Sequence, residues 1–151
     1  MNIGDASPDF TLTDGNGDSW TLSEHLGKTV VLMFYPGDDT PVCTKEMCSV
    51  RDHWSDYQAS GAEVVGISTD SVESHDKFST KYDLPLRLLS DSEGKVRDLY
   101  GAISLIPGRT GRAEFVIDPH GKLTYQKVRP IGLFRPSDDD VLAAIKAASR
   151  N

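Results

Sequence analysis

The chain is short of positive charge, of long apolar runs and of cysteine, and each shortage excludes something. Among its 151 residues are 16 Lys and Arg against 23 Asp and Glu, a formal net charge of −7. A nucleic-acid-binding surface needs clustered cations, so none is expected. The longest apolar run, Val30 to Tyr35, is far too short to cross a bilayer. The opening MNIGDASPDF has neither the basic nor the apolar region of a secretory signal, and a cytoplasmic location is expected. No repeat, low-complexity segment or linker divides the sequence. With 38% hydrophobic and 26% charged residues, the chain fits one soluble domain, residues 1–151, built on one sizeable core.

Only two cysteines are present, Cys43 and Cys48, and both fall in YPGDDTPVCTKEMC, residues 35–48. In a reducing compartment such a pair points to catalysis, redox sensing or metal binding rather than to a permanent disulfide. Zinc needs about four ligands, and His25, His53, His75 and His120 are scattered without a recognisable spacing. A thioredoxin-type exchange motif would read C-x-x-C, and this pair is too widely spaced.

Hydrophobic patterning predicts an α/β chain. Phe10–Thr13 and Ser19–Leu22 flank DGNG as a small N-terminal hairpin. Thr29–Tyr35 and Ala62–Ser68 are continuous apolar, β-branched runs, as in strands buried on both faces. A helix is predicted between them over Pro41–Gln58, ending before Gly61. A second helix follows over Val72–Tyr82, then a short strand over Leu86–Leu89 and a short helix over Ser92–Tyr100. Arg112–Asp118 and Lys122–Val128 form a second hairpin around PHG. Ser137 is expected to cap a terminal helix with Asp138, Asp139 and Asp140 in its first turn, where the helix dipole favours carboxylates over a metal-site reading. Parallel crossovers and antiparallel hairpins together imply a mixed central sheet flanked by helices, but periodicity does not give its strand order.

Thr40-Pro41 is a helix start: a residue able to cap, then a proline whose missing N–H costs nothing. Cys43 falls at the third helical position, beside unpaired backbone N–H groups and the positive end of the dipole, which favours thiolate over thiol. Met47, Val50, Trp54 and Tyr57 continue an apolar stripe from Cys43, so the thiol sits at the top of the buried face. Cys48 lies on the flank of that stripe. Residues five apart on a helix have Cα atoms about 8.7 Å apart, beyond the ~7 Å limit of a disulfide. Either the two never bond, or the first turns unwind when they do. Taken alone, Cys48 reads as a small buried hydrophobe.

The run Pro36-x-x-x-Thr40-x-x-Cys43 resembles the active-site signature of the peroxiredoxins, thiol peroxidases with a thioredoxin-like fold. Cys43-Thr44-Lys45-Glu46-Met47-Cys48 is similar to their Q-type subgroup, also called bacterioferritin comigratory protein. GDASPDFTL, VVLMFYP, VVGIST, LLSD and RAEFVID extend the likeness along the chain. The resemblance implies that Cys43 is the peroxidatic nucleophile, Cys48 the resolving cysteine, and Thr40 the hydroxyl that hydrogen-bonds peroxide. It implies that Pro36 shields the pocket from water, Arg112 stabilises thiolate and transition state, and Glu46 orients Arg112. Arg109, in the same loop, fits the family spacing less well. Val42 stands where the subgroup usually has Gly, and a β-branched residue there stiffens the first turn.

The activity implied is reduction of hydrogen peroxide and organic hydroperoxides through a sulfenic acid and an intramolecular disulfide, with thioredoxin or a similar dithiol as reductant. Neither cofactor nor metal is implied. A resolving partner within the chain removes any chemical need for a dimer, so a monomer is expected. A redox sensor or a general disulfide oxidoreductase are the competing readings. The Thr40/Arg112 pair opposes the first and the missing C-x-x-C the second.

Overall fold

Val30–Phe34 is a strand (β3) in which every residue is buried. Side chains alternate across a strand, so such a run needs cover on both faces. Val30, Leu32 and Phe34 join one apolar cluster, while Val31 and Met33, with Tyr35 just beyond the strand, join another. The structure, a computed structural model, describes residues 1–106, 108–129 and 138–149.

Around β3 the sheet assembles from Thr11–Asp14 (β1), Ser19–Thr21 (β2), Glu63–Ser68 (β4), Arg87–Ser90 (β5), Arg112–Ile117 (β6) and Leu123–Arg129 (β7). Among the described residues these form one seven-stranded sheet in the order β2-β1-β5-β4-β3-β6-β7. The pairs β3–β4 and β4–β5 are parallel, and the flanking pairs are antiparallel. The mixed α/β sheet and the N-terminal hairpin stand as expected, and the strand order, which periodicity left open, puts β3 between β4 and β6.

One face of the sheet is covered by Pro41–Asp52 (α1), Trp54–Ala59 (α2), Val72–Tyr82 (α3) and Asp138–Ala148 (α5), which send Met47, Tyr57, Phe78 and Ile145 into one cluster. Lys95–Tyr100 (α4) covers the other face with Val96 and Tyr100. Gly66 on β4 is required by packing: a Cβ there would lie 2.8 Å from Leu88 Cδ2 and 3.2 Å from the Tyr35 ring. No helix among the described residues is long and apolar enough to cross a membrane.

Several strand ends, those of β1, β2, β4, β6 and β7 among them, fall one residue from the sequence expectation, and two helices differ by more. The helix predicted over 41–58 is broken at His53, whose φ of −104° and ψ of 15° are not helical. His53 Nδ1 lies 2.9 Å from the Ser49 carbonyl oxygen, and Asp138 accepts from Ser49 Oγ and, at 2.6 Å, from Tyr57 Oη, tying the joint to α5. The short helix starts at Lys95 rather than Ser92, because Gly94 turns left-handed (φ 70°) and the Asp91 carboxylate takes the N–H groups of Val96 and Arg97. The short strand is shifted by one residue, to Arg87–Ser90. Asp138, Asp139 and Asp140 occupy the first turn of α5; the Ser137 cap lies outside the described residues.

Candidate active site

The turn from Pro36 to Thr40 carries the chain from β3 into α1. Thr40 has the extended backbone of a helix cap (φ −88°, ψ 153°), yet among the described residues no side chain caps this helix. The Thr40 hydroxyl instead donates to the Gly37 carbonyl at 3.0 Å. That corrects the expectation of a side-chain cap: the hydroxyl is engaged within its own turn. Val42 and Cys43 follow Pro41 in the first turn, where backbone N–H groups have no partner four residues back. Cys43 is buried (1% exposed) and Cys48 half-buried; both are free thiols, and α1 is continuous between them.

Arg112 opens β6, and the period of two puts Arg112, Glu114 and Val116 on the face that packs against α1. The preceding loop is pinned there: Gly111 N–H donates to Ala102 O at 2.9 Å, and a Cβ on Gly111 would lie 2.7 Å from the Ile103 carbonyl oxygen. From this start the guanidinium reaches both ends of one helical turn. Nη2 donates to Cys43 Sγ at 3.1 Å, and Nη1 donates to Glu46 Oε1. Glu46 lies three residues after Cys43, on the same helix face, so one planar fork spans thiol and carboxylate.

All three side chains are buried, Arg112 to 1% and Glu46 to 2% exposure. Burial pushes the Glu46 carboxyl up to about 7, against the opposing pull of Arg112 and helped by nearby Glu114. Glu46 Oε2 accepts no hydrogen bond among the described residues, which fits a carboxyl that readily takes a proton. Burial disfavours the Arg112 cation, but Glu46 and Cys43 outweigh it and hold the guanidinium above its ordinary value. Behind it Glu114, also raised by burial, pairs with Arg129 from β7.

The structure therefore brings Cys43, Arg112 and Glu46 together and places Thr40 at the head of the same helix. Pro36 is half-buried at the end of β3, and Arg109 is exposed. Sequence reasoning missed Tyr35, Asp38 and His75, which meet beneath the Pro36–Thr40 turn. A histidine on the buried face of α3, three residues before Phe78, was their only sequence signal. Asp38, Asp70 and His75 each bring a potential ligand atom within 4.8 Å of the others. Those atoms already serve protein hydrogen bonds: Ser68 Oγ donates to Asp70 Oδ2 at 2.6 Å, and His75 Nδ1 meets Asp38 Oδ2 at 2.7 Å. The cluster fits a polar network better than a metal site.

The sequence model of the AhpC/TSA family matches residues 3–126. The chain belongs to that family. Its likeness to the peroxiredoxins holds in sequence and in structure. The chloroplastic Peroxiredoxin Q of Triticum aestivum is 47% identical, over 83% of this chain and 58% of that protein. The chain thus spans under two thirds of the length of such plant relatives. Peroxidoxin BcpB of Mycobacterium tuberculosis superposes with a TM-score of 0.87 at 36% identity, over 97% of each chain. A bacterioferritin comigratory protein of Xanthomonas campestris, described with an alkyl peroxide reduction activity, superposes at 0.81 with 31% identity, over 97% of this chain and 96% of that one. The peroxiredoxin version of the thioredoxin-like fold is therefore the fold of this chain.

Proposed function

We propose that this peroxiredoxin is a thiol-dependent peroxidase acting on hydrogen peroxide and organic hydroperoxides. One observation carries the reading: the Arg112 guanidinium lies 3.1 Å from a buried cysteine sulfur at an uncapped helix N-terminus. The cation and the unpartnered backbone N–H groups then lie where a peroxide must meet the thiolate, and the Thr40 hydroxyl, which donates to the Gly37 carbonyl, has to turn from that bond to hydrogen-bond the substrate. The Cys43 sulfur attacks one peroxide oxygen, an S–O bond forms, the O–O bond breaks, and the leaving oxygen takes a proton to depart as water or alcohol. Arg112 and the helix N-terminus stabilise negative charge as it passes to that oxygen. Cys48 then attacks the sulfenic sulfur, releasing water and forming a disulfide, which a dithiol such as thioredoxin returns to two thiols.

The working form is a monomer, since both sulfurs lie in one chain. The location is cytoplasmic, in keeping with free thiols that must be returned to the reduced state; the Triticum relative is named as chloroplastic. Peroxide consumption coupled to thioredoxin and its reductase tests the reading. Cys43→Ser is expected to be inert, and Cys48→Ser to stop after one turnover at the sulfenic acid. Undiminished coupled turnover by Cys48→Ser removes its resolving role, and peroxide reduction by Cys43→Ser removes the proposal.

A further inference from the structure

The turn that sets Thr40 and Cys43 is anchored from below by a side chain that touches neither. Asp38, in the middle of that turn, is half-buried as a residue, but its side chain points inward and is only 4% exposed. Its Oδ1 accepts from the Tyr35 hydroxyl at 2.6 Å and its Oδ2 from Ser74 Oγ at 2.8 Å. Its backbone N–H donates to Asp70 Oδ2 at 2.8 Å. The remaining contact is His75, whose Nδ1 lies 2.7 Å from Asp38 Oδ2.

His75 is wholly buried, and its other nitrogen, Nε2, lies 3.0 Å from the Leu89 carbonyl oxygen. A carbonyl only accepts, so Nε2 carries a proton. The ring is thus a rigid strut from β5 to the active-site turn, with an oxygen partner at each end. A second tie acts on the next residue. Asp39 holds a left-handed backbone (φ 57°), uncommon outside glycine, and its carboxylate accepts from Lys81 Nζ at 2.7 Å and Tyr82 Oη at 2.8 Å. Both aspartates of the turn are therefore fastened to α3, one in the interior and one at the surface. Immediately beyond them begins the helical turn that must open for Cys43 to reach Cys48.

We propose that His75 is a positioning residue which, through Asp38, holds the Pro36–Thr40 turn in the peroxide-reactive arrangement and sets how readily the first turn of α1 lets go. This rests on the peroxidase reading of Cys43. The sulfenic acid formed there has two fates. It condenses with the Cys48 thiol, losing water and forming the disulfide, or a second hydroperoxide transfers an oxygen to it, giving sulfinic acid and an alcohol or water. A firm anchor favours fast first oxidation and a long-lived sulfenic acid exposed to the second fate. A loosened anchor slows the first step and favours the disulfide.

Two substitutions separate the ends of the strut. His75→Asn keeps an N–H near the Nδ1 position, facing Asp38; His75→Gln keeps one near Nε2, facing the Leu89 carbonyl. Rapid-quench mass spectrometry at rising peroxide concentration reads sulfenic acid, disulfide and sulfinic acid on Cys43. In His75→Gln the first oxidation is expected to slow about 10-fold and the peroxide concentration giving half sulfinic acid to rise several-fold, while His75→Asn stays closer to wild type. Should His75→Gln fail to fold, Ser74→Ala removes another donor from Asp38 and is expected to shift both readouts the same way by less. The proposal is overturned if rates and partition stay unchanged, or if Asn and Gln shift them equally in proportion to lost thermal stability. Absence of sulfenic acid in the wild type instead overturns the peroxidase reading itself.

Discussion

Arg112 donates to Cys43 Sγ from Nη2 at 3.1 Å while its Nη1 is held by Glu46, one helical turn along from the cysteine. A planar fork with each tip held by a different side chain fixes the direction of a cation as well as its charge. An ordinary cysteine is already a few per cent thiolate at neutral pH, so complete ionisation gains only about 30-fold, roughly 2 kcal/mol. Removing a donor aimed at developing charge costs on the order of 100- to 1,000-fold. Arg112→Ala is therefore expected to slow sulfenic acid formation well beyond the ionisation ceiling, with Arg112→Lys only partly restoring it. Stopped-flow oxidation across a pH range, corrected for the measured thiolate fraction, checks this. Losses equal to the change in thiolate fraction would leave Arg112 with no role in the transition state.

Glu46 gives the site a pH signature of its own. Burial raises its carboxyl from the ordinary 4.5 to about 7, with Glu114 adding to the rise and Arg112 and Arg129 opposing it. The folded protein then binds this proton more tightly than the unfolded chain does. Its contribution to stability is fully present below about 4.5 and is lost as pH rises through about 7, a swing on the order of 3 kcal/mol. Urea denaturation of reduced protein between about pH 5 and 8 is expected to show stability falling with pH, and Glu46→Gln to flatten that slope. His53, raised first by its bond to the Ser49 carbonyl and next by Asp138, slopes the same way, so the difference between wild type and variant isolates Glu46. Equal slopes in both proteins would show that Glu46 stays ionised when buried.

Thr40 separates two roles that coincide in the sequence. A capping hydroxyl would stabilise α1, and its removal would cost about 1 kcal/mol or more. The observed hydroxyl donates to Gly37 O and caps nothing. Thr40→Val is thus expected to lower the oxidation rate by at least 10-fold while changing stability by less than about 1 kcal/mol, and Thr40→Ser to retain most of the rate. Thermal denaturation beside the kinetics decides it. A stability loss without a rate loss would restore the capping role.

Local signals carried much of this molecule. The unbroken apolar run of β3 announced a strand buried on both faces, and Thr40-Pro41 announced the start of α1. Cys43 could be placed near the helix N-terminus from spacing alone, and family likeness brought in Arg112 and Glu46, which the fold sets side by side across 66 residues of sequence. The break at His53 was not legible, because the side chains on either side of it, Ser49 and Tyr57, are held by Asp138 from α5, 89 and 81 residues away. His75 was not legible either: its partners are a carboxylate 37 residues earlier and a backbone carbonyl 14 residues later. Side chains whose meaning depends on a distant backbone atom leave no periodic trace.

With α1 wound, residues five apart are held about 8.7 Å apart at Cα, and the disulfide limit is about 7 Å. The reduced structure keeps that helix continuous, with Cys43 buried against Arg112 and Cys48 half-buried on the flank. The proposed Cys43–Cys48 disulfide therefore requires part of residues 41–48 to unwind, and hydrogen exchange there is expected to lose protection on oxidation. Val42, half-buried in the first turn, is expected to resist that opening, its branched side chain restricting the backbone's alternatives. Val42→Gly weakens the turn by about 0.5 kcal/mol or somewhat more, so disulfide formation after sulfenic acid is expected to quicken about 2- to 5-fold. Equal protection of residues 41–48 in both redox states would mean the sulfurs meet by another route. An unchanged rate in Val42→Gly would place the resistance outside the first turn, in the anchors of Asp38 and Asp39 to α3.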